Sequence, residues 1–202
     1  MKFITILLVW MLANLGLHAQ TKIITITGET TGKQSRYVYL RSKNEVYFSK
    51  IVGNRFEFIL PKTNGYELAT LFFLSDSLSK EKVCQMFENG IDDSRTIAIE
   101  NLHILAGEVT KEAVVRGGEY NFQLDDMFLS LKKKTYLDFF NKYSDSPVSL
   151  TLLRLLISMS KISPYLKGQL TLKVYFDKLS NDLKESEEGK KLWAMIAPMY
   201  KI

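Results

Sequence analysis

The chain holds a single cysteine, Cys84. One cysteine cannot close a disulfide within the chain, so the packed core must supply the stability. It also leaves no Cys-x-x-Cys pair, which excludes a thioredoxin-type dithiol centre here. Histidine is almost as scarce: His18 and His103 are the two present. His18 falls in a leader-like segment, and one remaining histidine offers neither a dyad nor a multi-histidine metal site. No metal and no cofactor is expected. A strong charge bias is missing too. The net charge is +5, too small to argue for nucleic acid. Beyond the N-terminus no apolar run is long enough to span a bilayer. The nearest, Val148 to Met159, is short and holds Arg154. Gly117-Gly118 is no phosphate loop, because no Gly-Lys-Ser or Gly-Lys-Thr follows.

Hydrophobic residues make up 46% and aromatics 12% of the 202 residues. That suffices for a real core in one large or two small domains. The N-terminus has the order of a secretory signal. Met1-Lys2 carries the charge, an apolar run through Ile4, Leu7, Val9 and Leu12 follows, and Leu17-His18-Ala19 precedes Gln20. Residues 1–19 are therefore read as a signal peptide cut between Ala19 and Gln20. No cysteine lies at that junction, so soluble export is expected, with no transmembrane segment after cleavage.

Residues 20–118 read as a β-sandwich domain. Ile23 to Gly28, Tyr37 to Arg41, Glu45 to Val52, Arg55 to Leu60, Leu68 to Leu74, Lys82 to Glu88, Arg95 to Glu100 and Leu102 to Leu105 are expected strands. Gly53-Asn54 is a hairpin signal between two of them. In Arg55-Phe56-Glu57-Phe58, the two rings share one face. Residues 119–202 read as a helical subdomain. Phe122, Met127, Phe128 and Leu131 define one expected apolar face, which Leu137 and Phe140 continue. Ser146-Pro147 restarts the chain as N-cap and first helical residue, and Ser163-Pro164 repeats the pair. The helix after Pro147 is apolar nearly all round and belongs inside. A third helix is expected over Leu166 to Leu179, and a fourth from Ser186 with Leu192, Ile196 and Met199 on its face. The fold class is α+β: an antiparallel sandwich followed by packed helices.

Several stretches together resemble a known accessory region. They are Ile24-Thr25-Ile26-Thr27-Gly28, Gly53-Asn54-Arg55-Phe56-Glu57-Phe58, Phe87-Glu88-Asn89-Gly90, Val114-Val115-Arg116-Gly117-Gly118 and Asp145-Ser146-Pro147-Val148-Ser149. Tyr175-Phe176-Asp177-Lys178-Leu179-Ser180 and Glu188-Gly189-Lys190-Lys191-Leu192 complete the set. The chain is similar to the N-terminal domain of unknown function found ahead of the thioredoxin module in exported thiol–disulfide interchange proteins of the AhpC/TSA type. The dithiol motif of that module is absent up to Ile202, so no catalytic residue carries over. The helical stretch from Phe122 to Tyr143 is also shorter than in such regions. The resemblance implies the periplasm or cell envelope of a Gram-negative bacterium. It also implies a protein partner, either a separate thioredoxin-like protein or a second copy of the chain.

The leading expectation is thus a non-catalytic interaction module. A single-cysteine thiol oxidoreductase using Cys84 competes with it. A reactive thiol needs a nearby cation or helix N-terminus and access to substrate. Within Lys82-Val83-Cys84-Gln85-Met86-Phe87, an expected strand, Cys84 reads instead as a small buried hydrophobe. A third reading is a glycan- or peptide-binding sandwich. Tyr37, Tyr39 and Tyr47 would form its aromatic platform, provided Tyr37 and Tyr39 are exposed together. Asp92-Asp93 and Asp125-Asp126 lack calcium-loop spacing and read as solvated pairs. Lys132-Lys133-Lys134 reads as a wet helix face, Gly117-Gly118 as the turn from sheet to helix, and Trp193 as a docking residue.

Overall fold

The computed structural model describes residues 23–31, 35–43, 45–62, 65–162 and 171–200. The expected leader with its Ala19/Gln20 junction, Ser163-Pro164 and the start of the expected third helix lie outside the described residues. Eight strands come first: β1 Ile23–Thr30, β2 Tyr37–Ser42, β3 Glu45–Lys50, β4 Arg55–Pro61, β5 Leu68–Leu74, β6 Arg95–Ala98, β7 Leu102–Ala106 and β8 Val114–Arg116. They form two four-stranded sheets, ordered β4-β1-β7-β8 and β3-β2-β5-β6. Pairing is antiparallel except for β1 with β7, which run parallel. A first helix, α1 Lys80–Asn89, interrupts the strands. The helical part follows: α2 Glu119–Lys133, α3 Tyr136–Lys142, α4 Pro147–Ile162, α5 Leu172–Lys178, α6 Asn181–Glu185 and α7 Glu187–Ile196. The fold is α+β, with mostly antiparallel sheets followed by helices.

Alternation explains the first sheet. In β4, Phe56, Phe58 and Leu60 are buried while Arg55, Glu57, Ile59 and Pro61 face solvent. The buried set meets Ile24 and Ile26 of β1 and Ile104 of β7, and across the sandwich Val38, Leu40 and Leu71. The second sheet breaks the alternation. Val38, Tyr39 and Leu40 are buried in succession. Such a run marks a strand covered on both faces. The second cover is α1, whose Val83 packs on Tyr39 and Phe72, with Phe87 edge-on to Phe72 at 5.1 Å between ring centroids.

The segment around Cys84 is therefore helical, not a strand. Val83, Met86 and Phe87 stand at helical spacing. Ser79 caps the first turn, its hydroxyl accepting the Lys82 N–H at 3.4 Å. Gly90, with φ 86°, ends the helix.

The Gly53-Asn54 turn forms, with φ of 56° and 65°. Both central residues are left-handed, as a type I′ turn requires. Val52 and Arg55 exchange backbone hydrogen bonds of 2.9 and 3.0 Å across it. Beyond that pair the strands separate, β3 to one sheet and β4 to the other. The turn is a corner between sheets rather than the end of a two-stranded ladder. Gly28 lets the Phe56 ring lie on the β1 backbone: a Cβ there would stand 2.1 Å from the ring.

The expected apolar face is corrected in part: Met127 and Phe140 are buried and Leu131 packs against the helical core, as expected. Phe122 is 61% exposed, and Phe128, Leu129 and Leu137 are exposed as well. The buried face of α2 is Asn121, Gln123, Leu124, Met127 and Ser130. Polar anchors set its rotation, as described below. Ser146 opens α4 as expected, its hydroxyl accepting the Val148 N–H at 3.2 Å. α4 packs against α2, α5 and α7 and buries Val148, Leu150, Leu152, Leu153, Leu156 and Ile157. Ser186 opens α7, accepting the Gly189 N–H at 3.0 Å, and Leu192 and Ile196 are buried. The short helix α6, capped by Ser180, was not expected. Among the described residues no helix is long and apolar enough to cross a membrane.

Candidate functional site

The sequence-derived site residues fall in separate places. Cys84 is half-buried on α1, against the outer face of the β3-β2-β5-β6 sheet. His103 lies on the outer face of the other sheet. Packed sheets stand about 10 Å apart, so the two cannot pair as nucleophile and base within one chain. Among the described residues no group of three or more His, Cys, Asp or Glu could hold a metal ion.

The three tyrosines do not form one platform. Tyr39 is 1% exposed and stacks on Phe72 at 5.3 Å. Its hydroxyl accepts the Leu78 N–H at 2.7 Å. Tyr37 shares that face and is half-buried. Tyr47 stands opposite Leu40 and so points to the other face, packed against the sandwich core. The required joint exposure of Tyr37 and Tyr39 is not present. Phe48, opposite Tyr39, is the exposed ring of this sheet.

Asp92 is exposed, as a solvated acid should be, whereas Asp93, Asp125 and Asp126 make structural contacts. Asp93 accepts from the Thr110 hydroxyl at 2.9 Å and the Lys111 N–H at 3.0 Å. Asp125 pairs with Arg95. Asp126 accepts from Lys142 Nζ at 2.7 Å and the Tyr143 hydroxyl at 2.6 Å. Those two bonds hold the Asp126 carboxyl below its ordinary value, and the same bond to Asp126 pushes Lys142 up. A carboxylate depressed in the folded state contributes stability above its unfolded pKa and loses it as pH falls through the folded value. Asp126→Asn is therefore expected to cost up to about 1 kcal/mol near neutral pH, the pair being partly exposed, and less at about pH 2. Urea unfolding of both proteins at the two pH values checks this. An equal difference at both would refute it.

Gly117 and Gly118 make the turn from sheet to helix, with φ of 87° and 73°. What they enable was not legible beforehand. The Glu100 carboxylate sits on the N-terminus of α2 and accepts the N–H groups of Glu119, Tyr120 and Asn121 at 2.9, 3.0 and 3.3 Å. It satisfies orphan donors and the positive end of the helix dipole. A Cβ on Gly118 would stand 2.5 Å from that carboxylate. The cleft of about 750 Å³ beside Glu100 therefore opens on a carboxylate already engaged by the helix. A second cleft, about 540 Å³, lies between β5 and α4. Burial pushes its Tyr66 hydroxyl up to about 12, so it stays a neutral phenol bonded to Thr151 at 3.3 Å. Trp193 docks as expected, on Phe176 at 4.8 Å. Lys132, Lys133 and Lys134 are exposed, as a wet face should be.

The remaining candidate is the outer face of the β4-β1-β7-β8 sheet. Among the described residues no helix covers it. Register aligns Glu57, Thr27, His103 and Arg116 in one row across the four strands. The next row is Arg55, Glu29, Leu105 and Val114. Thr27 Oγ1 lies 3.0 Å from His103 Nδ1 and donates to the Leu102 carbonyl at 3.3 Å. Arg55 pairs with Glu29 at 3.2 Å. Ile23, Ile59 and Val114 are each more than half exposed here. A groove of about 740 Å³ runs from Thr27 and His103 over β4 to Ser49 and Lys50. Ser49 Oγ accepts the Glu57 N–H at 3.3 Å and is not held by a base. The arrangement can recognise a surface of mixed polarity. Sequence reading missed this face because each strand alone carries only two or three of its residues. No family model matches the chain, and neither the curated proteins nor the solved structures hold a match to it.

Proposed function

We propose that the chain is an exported, non-catalytic interaction module that offers the outer face of the β4-β1-β7-β8 sheet to a protein partner. The single observation carrying this reading is an asymmetry of cover. The β3-β2-β5-β6 sheet is packed on both faces, by the sandwich core and by α1, with Phe48 of its edge strand β3 left exposed. The other sheet is packed on one face and leaves Ile59 64% exposed, among charged residues, on the second. Exposed apolar side chains within a polar field are the composition of a recognition surface. Export to the periplasm or envelope of a Gram-negative bacterium rests on the leader sequence. The thioredoxin-linked setting rests on the resemblance to the accessory domain.

A photo-crosslinking residue at Ile59 or Val114, with Leu137 as a control position on α3, tests the surface in envelope fractions. Products from the two sheet positions and none from the control are expected, identified as a thioredoxin-fold protein or a second copy. No product from either sheet position would overturn the reading. The wild type and Cys84→Ser are expected to behave alike in insulin-disulfide reduction. Activity lost on that substitution would make the chain an oxidoreductase instead.

A further inference from the structure

We propose that the partner on this face is a second copy of the same chain, stacked sheet against sheet; the inference rests on the interaction reading above. The polar row changes sign from end to end. Glu57 stands on β4 at one edge and Arg116 on β8 at the other, with Thr27 and His103 between them. The ion pair on this face joins Arg55 to Glu29, so Glu57 and Arg116 have no ionic partner among the described residues. Such a row is complementary to itself. A two-fold axis parallel to the strands, midway between β1 and β7, lays Glu57 over the partner's Arg116. The same rotation lays Arg116 over the partner's Glu57, and Thr27 and His103 over each other's counterparts. An axis across the strands would instead stack Glu57 on the partner's Glu57, so charge selects the first arrangement. Two sheets stacked this way have the geometry of aligned sheet packing.

The edge of β4 is a poorer contact. Pro61 has no N–H to offer, and the Glu57 N–H is already given to Ser49. The face is roughly 20 Å wide, at about 4.8 Å per strand, and on average about 20 Å long, at about 3.3 Å per residue, or roughly 400 Å². That falls short of the ~800 Å² per partner of a standard interface. The dimer is accordingly weak, with a dissociation constant on the order of 10⁻⁵ M or higher.

Sedimentation of the chain from Gln20 onward, at rising concentration, tests this. The wild type is expected to show a monomer–dimer equilibrium that weakens with salt. Glu57→Arg gives a row positive at both ends, and Arg116→Glu a row negative at both. Each variant alone is expected to dimerise at least about tenfold more weakly. Their equimolar mixture is expected to regain wild-type association, because every like-charge contact becomes an opposite one. Both positions are exposed, and unchanged circular dichroism of each variant checks that it folds. A monomeric wild type, single reversals without effect, or a mixture that stays monomeric would each overturn self-association. If the wild type is monomeric while crosslinking from Ile59 captures a thioredoxin-fold protein, self-association fails and the interaction module stands. If crosslinking captures nothing, both fail.

Discussion

Asn121→Leu is expected to destabilise the chain by about 3 kcal/mol, although the two side chains are similar in size. Asn121 is 4% exposed at the start of α2. Its Oδ1 accepts the Ala98 N–H at 3.0 Å, and its Nδ2 donates to the Ala98 carbonyl at 3.0 Å. The amide thus takes the place of a further strand beside β6, the edge of its sheet. Nδ2 also donates to Glu100 at 2.9 Å. Leucine removes all three bonds and leaves both backbone groups of a buried residue without partners. Each such group costs about 1–3 kcal/mol, which outweighs the apolar gain of the new side chain. Asn121→Asp keeps the acceptor, loses the donor and sets a second carboxylate against Glu100, so it should be at least as damaging. Denaturant unfolding should show a lower midpoint at unchanged slope. A cost below about 1 kcal/mol would mean that water or a shifted helix replaces the amide.

Phe140→Ala should cost about 3–5 kcal/mol, the range for a large core aromatic replaced by alanine. Phe140 has no exposed surface. Its ring stacks on Tyr175 at 5.2 Å and meets Phe139 edge-on at 6.2 Å. It ties α3 to α5 inside the helical core. Tyr175 is also held by Tyr136, edge-on at 6.0 Å, which limits its movement into the vacated space. A cavity must therefore remain. Trp193 reports on this region through its contact with Phe176. Its fluorescence and the far-ultraviolet signal of the sheets should lose midpoint together. That coincidence is expected because α2 is bonded into the sheet through Asn121 and Glu100. A tryptophan transition that moves alone would show the helices unfolding independently of the sandwich.

Both effects pass through contacts that no local pattern announces. The sandwich was legible where a strand buries one face, as in β4, because alternation is a property of consecutive residues. It was also legible at β5, where a short apolar run crosses the sheet. Lys82 to Glu88 reads as a strand because Val83 and Cys84 follow Lys82 as a short apolar run would, yet it folds within the helix Lys80–Asn89. Ser79 as cap and Gly90 as stop are the local signals that favour the helix. The rotation of α2 is legible only through Met127 and Leu131. Its buried side carries Asn121, Gln123 and Ser130, and its exposed side carries Phe122. A hydrophobicity pattern points the wrong way when the anchoring groups are hydrogen-bonded amides.

The candidate site divides in the same manner. The chain by itself established one lone thiol, one histidine beyond residues 1–19, and no dithiol or multi-histidine set. Those are matters of composition and spacing, which folding does not change. The division into strands and helices was largely local as well, because propensity, capping and periodicity act within a few residues. Only the tertiary structure decided that Cys84 and His103 stand on opposite sides of a sandwich. It alone lined up Glu57, Thr27, His103 and Arg116 from four strands. Register between distant segments comes from burial of both inner faces at once, and that is a property of the whole fold.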